Sequence, residues 1–295
     1  MFVAELELLS SGSIPSTGFE HLRTGIAAGS SVPSSLMEKL HQRLNLTGLT
    51  ICYGMTETSP VSCMTTPDDP LEKRVDSVGR LLPHVEAKIV QVDDRAVIVP
   101  IGQRGELVVA GYNVMKGYWG DEARTAEVRV VDEAGKLWMH TGDEAEMDAD
   151  GYVKITGRIK DLIIRGGENI HPLEVENVLF RHVAVQEVSV VGVPDERYGE
   201  VVAAFVVVHA GVRVGRDDAG EGDAGLDLEG GNGGSEHVLT RDGVREWVRS
   251  QLSGHLVPRY VFWVNEYPKT ASGKIQKFKL KEMGIKFLKD AEAKV

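Results

Sequence analysis

Gly157-Arg158-Ile159-Lys160-Asp161-Leu162-Ile163-Ile164-Arg165-Gly166-Gly167-Glu168-Asn169-Ile170 decides how this chain divides. An aromatic-aliphatic run, Tyr152 to Ile155, leads into it and reads as a strand. The charged step Lys160-Asp161 parts that strand from the apolar triplet Leu162-Ile163-Ile164, which is expected to be buried. A charged step between two apolar strands reads as a crossover or hinge. Gly166-Gly167 supplies a loop that can take positive φ and let a ligand approach the backbone. At His171-Pro172 a helix begins, because proline suits the first helical position, where its missing N–H would go unpaired anyway. Taken alone, the stretch is equally an ordinary strand–turn–helix connection.

On its N-terminal side the chain has two rhythms. Residues 1–10 look helical. Leu22 to Ser30 reads as a strand running into a small-residue loop, and Leu49 to Tyr53 as a short buried strand ending at Gly54. Between them Ser34 to Leu44 predicts an amphipathic helix, with Leu36, Met37, Leu40 and Leu44 at helical spacing. Strand, loop, helix, strand is the rhythm of an α/β layer. From about residue 78 to 156 the pattern turns β-rich, with strands at Glu86 to Val92, Glu106 to Val109 and Tyr152 to Ile155 and a short helix from Gly120-Asp121-Glu122-Ala123.

On the C-terminal side helices are predicted at Pro172 to Arg181, Val244 to Leu252 and Ile275 to Met283. Strands are predicted at Val185 to Val193, Val201 to His209 and Val257 to Val264. The expected fold class is therefore α/β plus α+β, with residues 1–159 in one domain and 160–295 in a second, α+β unit. Gly211 to Glu236 is rich in glycine and acids. Such a segment buries too little apolar area to offset its ordering entropy, which predicts a disordered, solvated insertion.

At 295 residues the chain exceeds one typical domain and can bury a sizeable core. Its formal net charge of −11 argues against a general nucleic-acid binder, whose backbone contacts need clustered Lys and Arg. Cys52 and Cys63 lack metal-like spacing and are expected as reduced thiols in an intracellular compartment, cytoplasmic or organellar. No apolar run reaches the roughly eighteen residues of a transmembrane segment. Met1-Phe2-Val3-Ala4-Glu5-Leu6 reads as mid-helix, without a cap or the features of a signal peptide, and raises the expectation of a truncated chain. Ala293-Lys294-Val295 is only near a peroxisomal tripeptide.

Three further stretches change the reading of the first. They are Thr50-Ile51-Cys52-Tyr53-Gly54-Met55-Thr56-Glu57-Thr58, His140-Thr141-Gly142-Asp143 and Pro268-Lys269-Thr270-Ala271-Ser272-Gly273-Lys274. In this order and at these separations the four resemble the later motifs of the adenylate-forming enzymes. That superfamily holds acyl-CoA synthetases, luciferases and the adenylation domains of peptide synthetases. The resemblance covers roughly Phe2 to Met283. Its wording from Ile163 to Ile170 looks most like acyl-CoA synthetases of medium-chain fatty acid type. It implies the remainder of a large AMP-binding domain followed by a small mobile C-terminal domain hinged at Lys160.

Activating a carboxylate with ATP brings an anion to the α-phosphate of a polyanion. The site must supply a cation near the attacking oxygens, a metal on the phosphates and grips on adenine and ribose. Gly54, after a strand end, would put the backbone close to a ligand, and Tyr53 can stack on a purine. The Thr56 hydroxyl can bond a phosphate or the substrate carboxylate, and Glu57 can hold Mg2+ through oxygen. In isolation these residues also read as a strand-end turn with a solvated glutamate.

The resemblance assigns them to the nucleotide site. It puts Asp143, after a Thr-Gly turn, on the ribose hydroxyls and Arg158 on ribose and phosphate. Lys274 is identified as the adenylation lysine, a mobile point charge suited to the charge developing at the α-phosphate. Its segment is no Walker loop, since Ile275 follows Gly273-Lys274. The resemblance further implies that the second domain swings about Lys160, presenting Lys274 in one pose and Gly166-Gly167 in the other. Arg165 to Glu168 would then border the pantetheine path of CoA. Ala28 and Gly29 stand where the family has its adenine loop, though Ala27-Ala28-Gly29-Ser30 departs from the usual Gly-Ala-Ala-Pro.

The family's phosphate loop, ending in Pro-Lys-Gly, has no counterpart: Gly29-Ser30-Ser31 lacks a following Lys. The implied activity is a fatty acid–CoA ligase using ATP, Mg2+ and CoA, with a fatty acid as substrate. Against it stands a non-catalytic nucleotide-binding or interaction fragment, which the missing loop motivates. An adenylate-forming enzyme for aryl or amino acids is a further alternative.

Overall fold

The α/β rhythm near the N-terminus folds as a βαβ unit in the computed structural model, which describes residues 2–28, 34–215, 238–271 and 273–292. The chain divides into two compact units, Met1–Lys160 and Asp161–Val295. The first runs α1 (Phe2–Ser10), β1 (Thr24–Ala27), α2 (Ser34–Leu44), β2 (Gly48–Tyr53), β3 (Cys63–Met64), α3 (Leu71–Asp76), β4 (Arg80–Leu81), β5 (Val85–Val90), β6 (Gly105–Gly111), α4 (Glu122–Val128), β7 (Arg129–Val131), β8 (Leu137–Met147) and β9 (Val153–Arg158). β1 and β2 are parallel, from Thr24 opposite Gly48 to Ala27 opposite Ile51, with α2 as the crossover. Leu36, Met37, Leu40 and Leu44, the apolar face of α2, are buried. β3 and β4 extend this sheet antiparallel.

A second sheet is antiparallel throughout, in the order β5-β6-β8-β7 with β9 also on β8. Val85, Ile89, Leu107, Val109, Ala145 and Val153 form its core. The sequence expectation omitted β8, because His140, Asp143, Glu144 and Glu146 interrupt its apolar alternation. Buried polar side chains in β8 are tolerated because neighbouring strands satisfy them. His140 Nδ1 lies 2.8 Å from Glu106 of β6, and Glu144 accepts the Thr156 hydroxyl of β9 at 2.5 Å.

The second unit comprises β10 (Ile163–Arg165), β11 (Glu168–Ile170), α5 (Pro172–Phe180), β12 (Val185–Asp195), β13 (Gly199–Val208), β14 (Arg213–Val214), β15 (Val238–Leu239), α6 (Arg241–Arg249), β16 (Tyr260–Trp263) and α7 (Lys277–Glu292). β13 is central, antiparallel to β12 and β10 and parallel to β16. Its alternate residues serve two cores. Val202, Ala204 and Val206 pack with Val175, Leu179, Val244 and Val248 of α5 and α6. Val201, Ala203 and Phe205 pack with Phe262 and with Leu280 of α7. A strand covered on both faces reads as an unbroken apolar run, as Val201 to Val208 does.

Several expectations are corrected here. Of the triplet Leu162-Ile163-Ile164 only Ile163 is fully buried, and Ile164 is 56% exposed. Ile163 and Ile164 lie in β10, where successive side chains face opposite ways. Gly166 and Gly167, at φ +58 and +89, close a two-residue hairpin between β10 and β11 rather than leading into the helix. α6 starts at Arg241, not Val244, because the Thr240 hydroxyl caps it by accepting the Gly243 N–H at 2.9 Å. α7 continues past Met283. Gly284 marks a close approach to the sheet, where an added Cβ would stand 3.0 Å from Val193 Cγ1. Within the expected disordered insertion, Arg213–Val214 pairs with Val238–Leu239, and Val212 and Val214 pack on the core. Residues 216–237 lie outside the described residues.

Candidate active site

Asp143 stands where β8 is distorted. Gly142 has φ +69, and the pairing with β9 shifts register between Glu144 and Ala145. Asp143 thus belongs to a bulged strand, not to the Thr-Gly turn expected from sequence. The register places Arg158 of β9 opposite it, with Nε 3.1 Å from Asp143 Oδ1. From the end of β2 the Tyr53 hydroxyl donates to Asp143 Oδ2 at 2.6 Å. Burial, and then the Asp143 charge, push the Tyr53 pKa upward, so the hydroxyl stays a donor. Three residues singled out in three separate motifs meet at one buried carboxylate.

Behind Asp143 lies Glu106, which motif reading missed. Its Oε1 accepts the Gly142 N–H at 3.0 Å, and its Oε2 is 2.8 Å from His140 Nδ1 and 3.5 Å from Arg95 Nε. Burial works to raise its pKa. His140, the Gly142 N–H and Arg95 outweigh that and hold the carboxyl below its ordinary value. The one signal in sequence is an acid at the head of the apolar run Leu107-Val108-Val109, at the start of a strand, where an unpaired buried charge would be costly.

The loop after β2 closes on itself. Ser62 N–H donates to Tyr53 O at 2.8 Å, and Thr58 Oγ1 accepts the Met55 N–H at 3.1 Å. Gly54 is required by this closure, since an added Cβ would stand 1.7 Å from Pro60 O. The close approach at Gly54 is therefore made by the chain's own backbone. Thr56 is exposed and Glu57 half-buried. Met115 N–H donates to Glu57 O at 2.8 Å, and the Tyr118 hydroxyl, also unforeseen, donates to Glu57 Oε1 at 2.7 Å. Among the described residues no group of three or more His, Cys, Asp or Glu is set to hold a metal. Glu57 can offer a cation one carboxylate. That fits Mg2+, which is commonly held by one or two carboxylates plus phosphates and water. Ala28 is exposed just beyond β1, and Gly29 lies outside the described residues.

In the second unit Lys274 is exposed on a small hairpin. Lys269 and Ile275 pair antiparallel, Thr270 N–H donates to Lys274 O at 2.8 Å, and Gly273 turns the chain at φ +83. Arg165 stacks its guanidinium 4.1 Å from the Tyr198 ring centre, and Gly166 N–H donates to Tyr198 O at 2.8 Å. Lys160, the last residue of the first unit, is exposed.

A family model described as AMP-binding enzyme matches residues 2–119, and one described as AMP-binding enzyme C-terminal domain matches residues 174–274. The chain belongs to this adenylate-forming family. Within it, similar curated proteins bear the names of acyl-CoA ligases or synthetases. The acyl-CoA ligase sidI of Aspergillus fumigatus is 42% identical over 97% of this chain and 45% of its own length. The mitochondrial medium-chain acyl-CoA ligase ACSF2 of Mus musculus is 39% identical over 98% of this chain and 42% of its own. Among solved structures, ATP-bound MatB from Rhodopseudomonas palustris is similar with a TM-score of 0.70 and 29% identity, over 88% of this chain and 44% of that one. The chain spans slightly under half the length of the relatives it matches.

Proposed function

We propose that this chain is the nucleoside-holding and lysine-bearing portion of a fatty acid–CoA ligase. The ligase forms an acyl-adenylate from a fatty acid and ATP with release of pyrophosphate, then transfers the acyl group to CoA. The observation that carries this reading is the convergence of Tyr53, Asp143 and Arg158. Asp143 accepts the ribose hydroxyls, with Tyr53 and Arg158 fixing its carboxylate. Thr56 offers its hydroxyl to phosphate or substrate carboxylate, and Ala28 and Gly29 border adenine. Glu57 holds the Mg2+ that neutralises phosphate charge. Lys274 places its ammonium at the α-phosphate while a carboxylate oxygen attacks phosphorus and pyrophosphate departs. The CoA sulfur then attacks the acyl carbon and AMP leaves.

Residues 160–295 act as a separate domain that turns about Lys160, and the Arg165-Gly166-Gly167 hairpin borders the pantetheine arm. The medium-chain name of the ACSF2 relative supports a fatty acid as substrate. The shares covered support a chain that is part of a longer ligase, the rest supplying the phosphate loop and acyl pocket. Free Cys52 and Cys63 support a reducing compartment.

Calorimetric titration with ATP tests the site. Asp143→Ala should weaken binding by at least tenfold, and unchanged affinity overturns the assignment. Pyrophosphate release with a fatty acid then separates the two classes of function. ATP binding without release would instead assign the chain as a nucleotide-binding fragment, the reading that the missing phosphate loop favours.

A further inference from the structure

Glu57 has two carboxylate oxygens, and among the described residues one of them, Oε1, has a hydrogen-bond donor. The Tyr118 hydroxyl donates to Oε1 at 2.7 Å. Tyr118 is itself held in place. Its N–H donates to Thr125 Oγ1 at 2.9 Å, Thr125 Oγ1 donates to Asp121 O at 2.7 Å, and the Arg124 guanidinium lies 4.9 Å from its ring centre. Met115, in the same loop, ties the Glu57 main chain at 2.8 Å.

A carboxylate with one oxygen engaged by a donor meets a cation through the other oxygen alone. Mg2+ accepts that arrangement, since it demands a tight octahedron and keeps much of its water. Ca2+ takes more oxygens in a looser shell and readily uses a carboxylate through both. We propose that Tyr118 is a positioning residue that sets the metal preference of the nucleotide site. By occupying Oε1 it restricts Glu57 to single-oxygen coordination and so favours Mg2+ over Ca2+. The inference rests on the assignment of Glu57 to the metal of bound ATP.

The test is calorimetric titration of the full chain with ATP in Mg2+ or in Ca2+, for the unaltered protein, Tyr118→Phe and Glu57→Gln. Tyr118→Phe keeps the ring and frees Oε1, so the Mg2+-over-Ca2+ ratio of affinities should fall severalfold. Glu57→Gln should weaken binding with both metals. If Glu57→Gln acts as expected while Tyr118→Phe keeps the original ratio, the role of Tyr118 is overturned and the site assignment survives. If Glu57→Gln leaves both affinities unchanged, or the unaltered chain shows no metal-dependent ATP binding, the assignment of Glu57 fails and the inference with it. A uniform loss in Tyr118→Phe without a change of ratio marks a structural tyrosine only and also overturns the proposal.

Discussion

The Asp143 cluster and the Lys274 hairpin are held by opposite means. Asp143 is fixed by side chains from β2 and β9, and by a β8 bulge that Glu106 of β6 secures. The Lys274 hairpin is closed by main-chain bonds and the Thr270 hydroxyl, and the lysine ammonium makes no hydrogen bond or ion pair among the described residues. A group that must grip a substrate through two reaction steps benefits from being fixed beforehand. A group that serves one step and then withdraws must not be tied down. Rigid grip and free lysine are thus complementary solutions within one proposed cycle.

The largest effect tests the free half of this contrast. In the complete ligase Lys274→Ala should slow adenylation by about 10²- to 10³-fold, the range seen for removal of one transition-state charge donor. Thioester formation from supplied acyl-adenylate should be largely spared, and the melting temperature should not move. Pyrophosphate exchange, a thioester assay and a thermal melt check these points. A fall in melting temperature would show that the lysine is a structural group after all.

The next effect tests the fixed half. Glu106→Ala removes the partner of the buried His140 and of the Gly142 N–H, at a cost of about 3 kcal/mol by denaturant titration. The pH dependence has a definite sign. The folded-state pKa of Glu106 is lowered, so its contribution is present above the ordinary glutamate value of about 4.3 and is lost as pH falls through the folded value. The gap in stability between the unaltered protein and Glu106→Ala should therefore narrow in acid. A gap independent of pH would mean that the side chain matters for its volume and not for its charge.

A smaller change probes the grip without breaking it. Tyr53→Phe deletes the hydroxyl on Asp143 Oδ2 while leaving Arg158 on Oδ1 and the ring against the β-sheet core. The loss should be about 1 kcal/mol, or roughly fivefold in ATP affinity by calorimetry. A loss as large as that of Asp143→Ala would make Tyr53 a direct ligand contact, as its expected stacking on the purine requires.

The contrast also explains what was legible in the sequence. Tyr53, Asp143 and Arg158 were named because each belongs to a recognisable stretch, and the fold brings the three together. Glu106 and Tyr118 are not legible in the sequence because their work is defined by partners far along the chain, Gly142 and Glu57. At Gly54 the sequence shows that small size is needed but not which atoms press against it, and the fold supplies the Pro60 carbonyl. β8 is hidden in the sequence because its polar residues find partners on other strands, which sequence spacing does not reveal. The expected helix stops at Met283 while α7 runs on to Glu292, because a glycine such as Gly284 that packs a helix against a sheet cannot be told in one dimension from one that ends it. Local spacing identifies α2 over Ser34–Leu44, because its buried face, Leu36, Met37, Leu40 and Leu44, repeats at the helical period.

The smallest perturbation asks whether the wall of the cluster is as rigid as its hydrogen bonds imply. Cys63 of β3 lies opposite Tyr53 in the register and is fully buried. Burial pushes its thiol up to about 12, and the half-buried Cys52 is shifted upward as well. A thiol must ionise and be reached before it reacts, so at pH 8 Cys52 should label slowly with a thiol reagent and Cys63 only on unfolding. ATP should slow Cys63 further by bracing Asp143 and, through it, Tyr53. Equal labelling of the two thiols in the native protein would show that β2 and β3 part readily beside Tyr53. The grip would then form only around the nucleotide, and the distinction between a fixed cluster and a free lysine would become one of degree.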